Sequence, residues 1–431
     1  MSKKLNPRAY VELFHGGRMV RTVIGGFFGR FLLGLVMIGT LSMYTMSGYS
    51  YTLAGIAIGI TQLSCCLIGP RVSRMIDKKG QMKVMPIAAL ISMVGVAAVM
   101  LIVHFRAPIG IAFVCSVLIG FMPQTASISR ARWSYVIQRD GEEDTNMLGT
   151  AFSVEGILED LSYMITPAVA IVLASRLFPE AGMLFGAIFY ILGVIIMLSD
   201  CKSEPDVEFM HQRTRASEAL ATEEGVRKKR SVFLAYPFVA VFFVVMILQG
   251  FLFGFFDPGT YGMAAEIVSE ELAGPAFICG TAASVIAVFI FGMLDWKASP
   301  IKKVLIIGLA TGILYLPASI ATNLPLLYAS HAIGAIAYGP LNIVLNSTVE
   351  QHVSPSRVTE SLTWMLAGMQ LGMAGGPTLA GILIDTFSAQ AALIATSASG
   401  VLVPIVLFAC IPILRRGLAK KAEPETAESA N

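Results

Sequence analysis

The sequence predicts an all-α integral membrane protein with twelve transmembrane helices, arranged as two pseudo-symmetric bundles of six. Three observations predict this fold class. Charged residues make up only 14% of the chain and the mean hydropathy is +0.73, whereas soluble domains carry about 25% charged residues. Apolar segments of the length needed to cross a bilayer recur along the chain. Lys and Arg are confined almost entirely to every second connection between those segments.

The apolar segments define the spans, because a helix needs roughly 20 residues to cross the hydrocarbon core. The first segment follows a basic, polar stretch and lacks a small-residue cleavage site, so we expect it to be retained as a span. Spans are predicted near residues 21–43, 50–70, 84–104, 108–129, 148–174, 182–199, 233–257, 274–294, 304–322, 325–347, 359–384 and 390–414.

The basic residues predict the orientation of the chain. With the N-terminus in the cytoplasm, every Lys and Arg falls in a cytoplasmic segment except Arg30, which lies inside the first span, and Arg106 and Arg176 in external loops. Such an asymmetry follows the positive-inside rule. We therefore expect a multi-pass protein of the cell (plasma) membrane with both termini in the cytoplasm.

A long polar segment divides the twelve spans into six and six. Residues 200–232 form this predicted cytoplasmic linker, between an N-terminal bundle at 1–199 and a C-terminal bundle at 233–414. The polar composition of residues 415–431 predicts a disordered cytoplasmic tail.

The two halves share landmarks at matching positions. Asp77 and Asp295 each begin the polar connection after the second span of their half, and Pro167 and Pro377 each lie in the fifth span. These matches predict a parallel repeat of two six-span halves, an architecture found in a large class of transporters.

The connection after span two carries a recognisable motif. Asp77, Lys78 and Gly80 match the major facilitator superfamily signature Gly-x3-Asp-Arg/Lys-x-Gly-Arg/Lys, whereas Ser73 and Gln81 depart from it. With its twelve spans and half-chain repeat, the chain resembles that superfamily over essentially its whole hydrophobic length. The order of polar residues in spans one, five and eleven is similar to a bacterial subgroup labelled as uncharacterised facilitators or efflux proteins.

The resemblance implies a gating role for this connection. In the superfamily it holds the cytoplasmic ends of the two halves together in one state and releases them in another. We assign that role to Asp77, with Arg74 and Lys78 as expected participants and Gly80 as the matching glycine. A helix-capping Asp77 without a gating role is the alternative.

Four charged residues lie inside spans one and five. Arg30 and Glu159 both lie ~15 Å from the ends of their spans. Because spans one and five adjoin in the fold that the chain resembles, we predict an Arg30–Glu159 ion pair, with Glu155 as the alternative partner. One arginine does not neutralise three carboxylates, so Asp160 is predicted to bind and release a proton during transport. A purely structural charge network is the alternative.

Spans five and eleven contain candidate hinges. Small residues let helices approach closely, and proline loosens the backbone hydrogen bonding of a helix. Pro167, Gly372, Gly376 and Pro377 are the predicted hinge positions, with close helix packing as the alternative.

The resemblance also implies that spans one, four, seven and ten line a central cavity. Four polar residues in three of these spans are candidate substrate ligands, with an interhelical hydrogen bond as the alternative for each. They are Gln124, Gln249, Tyr338 and Asn342.

The sequence contains no GxxxxGK[ST] phosphate loop and no GxGxxG motif between a strand and a helix. We therefore expect transport to be driven by an ion or solute gradient or to run downhill, and predict secondary active transport of small molecules by alternating access, as proton-coupled efflux. The five histidines are scattered singly and the acids of the spans lie at mid-depth, so we do not expect a membrane-embedded enzyme. None of the six cysteines forms a CxxC pair, so we expect no metal site, and we expect no cofactor. Solute import, lipid flipping and a non-transporting sensor are the alternatives. The expected partners are a small-molecule substrate, protons and the lipid bilayer, without nucleic acid, and the protein is expected to be a monomer.

Overall fold

The structure is a computed structural model that describes residues 13–14, 19–139, 145–209, 231–294 and 296–418. These residues form helices and short connections and contain no β-strand. The predicted tail from residue 419 onward, most of the predicted linker and Asp295 lie outside the described residues.

Within the described residues, eleven helices are long and apolar enough to cross a membrane. A shorter apolar helix, Ile109–Ile119, occupies the place predicted for the fourth span and is continued by the helix Thr125–Arg139. An all-helical chain satisfies its backbone hydrogen bonds internally, as hydrocarbon requires. The predicted twelve-helix membrane fold is confirmed.

The contacts divide the chain into two compact units. The first comprises Met1–Gly48 and Ile60–Ala216, and the second comprises Tyr49–Gly59 and Ser217–Asn431. The helices of the first unit are α1 (Val20–Gly29), α2 (Phe31–Met46), α3 (Tyr51–Lys79), α4 (Gln81–His104), α5 (Ile109–Ile119), α6 (Thr125–Arg139), α7 (Thr145–Arg176) and α8 (Ala181–Leu198), of which α3 gives its first residues to the second unit.

The second unit continues with its own helices and a core of large apolar side chains. Phe238 and Phe242 are fully buried there among valines and leucines of several helices. The helices are α9 (Val232–Ala235), α10 (Pro237–Ile267), α11 (Gly274–Met293), α12 (Pro300–Leu314), α13 (Leu324–His352), α14 (Pro355–Thr386), α15 (Ala389–Ala409) and α16 (Ile411–Leu418).

The first residues of α3 are held by α14, which is why they group with the second unit rather than with the predicted bundle 1–199. Asp385 Oδ1 accepts a hydrogen bond from the Tyr51 N–H at 3.0 Å, and Oδ2 accepts one from the Thr52 N–H at 2.7 Å. One turn further, a Cβ on Gly55 would lie 2.7 Å from the carbonyl carbon of Pro377. The two helices therefore touch backbone to backbone.

Replacing Asp385 with alanine is expected to lower the free energy of unfolding by about 1 kcal/mol, because two N–H groups in the first turn of α3 lose their acceptor. Asp385→Asn keeps one acceptor oxygen and should lose less. Denaturant titration of the purified protein in mixed micelles measures both changes. Equal stability of Asp385→Ala and the wild type would contradict this capping role.

Two spans of the first unit are interrupted. The first bends at Arg30, which separates α1 from α2 and whose N–H donates to the carbonyl of Phe27 in a tight turn. The fourth breaks between Ile119 and Thr125, because Pro123 has no N–H and disfavours helix in the residue before it. The span predicted near 108–129 is therefore built from two helices.

Candidate functional site

The site begins with an ion pair between Arg30, at the α1–α2 break, and Glu155 of α7. The exposed fraction is 4% for the Arg30 side chain and 0% for Glu155. Two further donors reach Glu155 Oε1: the Ser129 hydroxyl at 2.5 Å and the Trp133 indole N–H at 3.0 Å. The carboxylate is thus neutralised and hydrogen-bonded inside the first unit, as a buried charge must be.

This pairing corrects the predicted Arg30–Glu159 pair in favour of the alternative partner. The prediction measured depth from the ends of the apolar segments, but α1 begins at Val20 and α7 at Thr145. Arg30 and Glu155 then lie equally far along their helices, ~15 Å from the start at 1.5 Å per residue. Glu159 lies a full turn further along α7.

Glu159 instead pairs with Arg130 of α6, with Nη2 and Oε2 2.7 Å apart. Both side chains remain partly exposed, 42% for Arg130 and 33% for Glu159. Arg130 falls among the basic residues predicted to be cytoplasmic, because the apolar segment ends before it. Helix α6 carries the chain on without a break, so Arg130, Ser129 and Trp133 all meet α7.

Asp160, the predicted proton-binding residue, follows Glu159 on α7 and is exposed. A carboxylate facing hydrocarbon costs at least about 2.5 kcal/mol. Asp160 therefore needs water or polar groups beside it in the membrane. Its role in proton binding stays a prediction.

A small cleft, partly open to the outside, adjoins the two ion pairs within the first unit. The break in span four contributes part of the lining of the cleft, and α1, α2 and α7 contribute the rest. Its lining residues are Gly29, Arg30, Leu33, Met122, Pro123, Gln124, Thr125, Ala126, Glu159 and Tyr163.

The glycines of α1 allow it to pack closely against its neighbouring helices. A Cβ on Gly29 would lie 2.5 Å from Thr125 Cγ2, and one on Gly25 would lie 2.7 Å from the carbonyl oxygen of Gly193. The absence of side chains here lets α1 pack against both α6 and α8. Arg30 is positioned by this close packing.

The four candidate substrate ligands divide between the units. Gln124 lines the cleft of the first unit. In the second unit Gln249 is buried, and its Oε1 has no hydrogen-bond partner in the described part of the chain. Asn342 Nδ2 donates to the carbonyl of Tyr338 at 3.1 Å within α13, and Phe253 packs edge-on against the Tyr338 ring. Their joint role as a substrate cavity stays a prediction.

The predicted gating connection is mostly helical, with a single residue between two helices. Helix α3 runs through Arg74, Asp77 and Lys78 as far as Lys79, and Gly80 alone separates it from α4. Gly80 has φ +91°, a backbone conformation that residues other than glycine rarely adopt. Asp77 is half-buried, while Arg74 and Lys78 are exposed. The gating role stays a prediction.

The residues after α8 pack beside this turn. Glu204 Oε1 accepts a hydrogen bond from the Met82 N–H at 2.9 Å and so caps α4. The Tyr135 hydroxyl, beyond the apolar part of span four, donates to Asp206 Oδ2 at 2.8 Å, and this hydrogen bond raises the pKa of Tyr135. The beginning of the predicted linker is thus attached to the first unit.

Arg132 is a buried residue that the sequence analysis missed. Its side chain is fully buried, and Nε donates to Gln81 Oε1 at 2.7 Å. Nη1 donates to the Met197 carbonyl at 2.7 Å and to Ser203 Oγ at 3.0 Å. This one guanidinium joins α6, α4, α8 and the segment after α8. The polar run SRARW, at the end of the apolar segment of span four, is the sequence feature that could have pointed to Arg132.

The predicted hinges lie in unbroken helices. Pro167 is inside α7 and Pro377 inside α14. A Cβ on Gly372 would lie 2.7 Å from Gly250 Cα, and one on Gly376 would lie 2.7 Å from Gly254 Cα. These contacts support the alternative, close packing of α10 against α14, while bending at these positions stays a prediction.

The fold and the charge cluster define a multi-pass membrane protein with a polar site inside its apolar helices. Residues 268–430 match the family model of the Major Facilitator Superfamily. This match covers less than half of the chain. The matched range does not include the Arg30–Glu155 site.

Solved structures with a similar fold cover nearly the whole chain. The nucleoside transporter NupG is 16% identical with a TM-score of 0.65, and the match covers 92% of this chain and 98% of that one. The xylose transporter XylE from E. coli is 14% identical with a TM-score of 0.61, covering 97% and 98%. A D-xylose-proton symporter is 14% identical with a TM-score of 0.65, covering 93% and 97%. No curated protein sequence matches the chain.

Proposed function

We propose that the protein is a secondary active transporter that exports a small molecule across the plasma membrane in exchange for protons. The observation that carries the proposal is that Glu159 of α7, paired with Arg130 of α6, is partly exposed and that the next residue of α7, Asp160, is exposed. A carboxylate that meets water inside a membrane span is suited to take up and release a proton as its surroundings change. Similar folds are named as transporters of nucleosides and of xylose.

In this mechanism Asp160 is the proton carrier and Glu159 is its charged neighbour. Protonation of Asp160 removes a negative charge from the site and lowers the cost of enclosing it away from water. Release of the proton restores the charge and favours a state in which water reaches the carboxylate. Arg130 offsets the charge of Glu159 throughout, so that Asp160 alone changes the net charge.

The Asp160→Asn variant is expected to lose transport that depends on the pH gradient, because an amide does not exchange protons at these pH values. Reconstitution into liposomes containing a pH-sensitive dye measures proton movement after solute is added. Glu208→Gln makes the equivalent change at an exposed residue and is expected to leave proton movement unchanged. Coupled transport by Asp160→Asn at the wild-type rate would refute the role of Asp160.

Direction and orientation need separate measurements. A deletion strain that is more susceptible to a compound, and accumulates more of it than a complemented strain, supports export. Reduced uptake by the deletion strain favours import instead, and lipid in place of solute in the purified protein favours flipping. Reporter fusions active only in the cytoplasm should be active at both termini, as the distribution of Lys and Arg implies.

A further inference from the structure

Arg30 has hydrogen-bonding capacity that the protein does not use. Its Nη2 donates to Glu155, whereas Nε and Nη1 have no hydrogen-bond partner among the described residues. A buried donor without an acceptor is costly, and a native protein rarely leaves one without a reason. The ion pair with Glu155 therefore explains where the guanidinium is held, but not its two remaining donors.

The cleft beside Arg30 adds further donors. Thr125 and Ala126 line it, and both lie in the first turn of α6, where N–H groups have no partner within the helix. The N-terminal end of a helix also carries partial positive charge. Interrupted membrane helices present such ends to polar groups of substrates in other transporter folds. This wall of the cleft thus favours a ligand oxygen that accepts hydrogen bonds.

The same cleft also contains a hydrogen-bond acceptor. Glu159 lines the same cleft and keeps a third of its side chain exposed although it pairs with Arg130. A carboxylate in that position accepts hydrogen bonds from a hydroxyl or amino group. The cleft therefore presents donors, from Arg30 and the start of α6, together with an acceptor, from Glu159.

We propose that this cleft binds a small, oxygen-rich polar solute. A carboxylate or carbonyl oxygen of the solute accepts hydrogen bonds from Arg30, and a hydroxyl or amino group donates to Glu159. This inference rests on the proposed transport function in that it describes the transported solute. It excludes an apolar cation as the preferred ligand, because such a molecule has no acceptor for Arg30.

Equilibrium binding to the purified protein in lipid nanodiscs, at one pH and without a gradient, tests the inference. The oxygen-rich probes are uridine, D-xylose and 5-aminolevulinic acid, and the apolar probe is tetraphenylphosphonium. We expect one or more oxygen-rich probes to bind and Arg30→Lys to weaken that binding at least about tenfold, because lysine lacks the fork of guanidinium donors. Lysine keeps the positive charge beside Glu155, so the fold is expected to persist.

Arg139→Lys is the matched control, since Arg139 donates to the carbonyl of Lys202 and does not line the cleft. It should leave the affinity unchanged. Glu159→Gln is an independent variant that does not alter the buried pair. It should weaken binding of 5-aminolevulinic acid, whose amino group is charged, more than binding of neutral D-xylose.

The outcomes separate this inference from the proposed function. Binding that depends on Arg30, without coupled transport in liposomes, supports the site and refutes the transport mechanism. Coupled transport of a solute whose affinity is the same in Arg30→Lys overturns the site and leaves the mechanism intact. Binding of tetraphenylphosphonium alone, or of none of the probes, also overturns the inference.

Discussion

Neutralising one member of the Arg30–Glu155 pair is expected to lower the free energy of unfolding by about 3–5 kcal/mol, because the other member is left as a buried charge without its partner. Glu155→Gln keeps an oxygen that accepts hydrogen bonds from Ser129 and Trp133. The decrease in its free energy of unfolding therefore reports on the missing charge rather than on those hydrogen bonds. Arg30→Met keeps the length of the side chain and removes the cation. Both single variants should be strongly destabilised.

The double variant Arg30→Met/Glu155→Gln is expected to be more stable than the sum of the single losses predicts, because it leaves no unpaired charge. Denaturant titration in mixed micelles provides the four free energies of the cycle. The matched cycle at the more exposed Arg130–Glu159 pair should show a coupling of only about 0–1 kcal/mol. Equal coupling energies in the two cycles would show that burial does not govern the strength of these pairs.

The second large effect is expected at Gly372, where α14 meets α10. An alanine Cβ would lie 2.6 Å from the backbone nitrogen of Phe251 and 2.7 Å from Gly250 Cα. Neither atom belongs to a flexible side chain, so the helices must separate. We expect Gly372→Ala to lower the free energy of unfolding by about 3 kcal/mol, the upper part of the range for overpacking.

Gly292→Ala is the control for this substitution. A Cβ on Gly292, in α11 of the same unit, would meet no atom within 4 Å. Alanine favours helix over glycine by up to about 1 kcal/mol, so this variant should be as stable as the wild type or more so. A similar loss in both variants would mean that the close approach of α10 and α14 does not stabilise the fold.

Most of the fold follows from simple features of the chain. Runs of apolar residues predicted the spans, and hydrocarbon leaves a backbone few options other than helix. The predicted interval 148–174, for example, corresponds to α7 at Thr145–Arg176. Errors occurred where polar residues extend a helix beyond its apolar run, as in the part of α6 that carries Arg130 and Trp133.

The candidate site was predicted only in outline. Arg30, Glu155 and Glu159 were recognised because charged residues inside an apolar segment must find partners. The residues that complete the site, Ser129 and Arg130, lie in a stretch whose composition resembles an ordinary polar loop. The polar run SRARW indicates that this stretch is unusual, but not which residues meet α7, since that contact depends on the break at Pro123 and the course of the chain beyond it.

The residue types along the chain are enough to predict that it crosses a membrane many times and that three carboxylates and an arginine lie within its spans. Those conclusions depend on the free energy of transferring each residue into hydrocarbon, which its chemical nature sets. The pairing of Arg30 with Glu155, and of Glu159 with Arg130, depends instead on how the folded helices are placed against one another. An ion pair requires two atoms within a few ångströms, and a shift of one helical turn, about 5.4 Å, exchanges one partner for another.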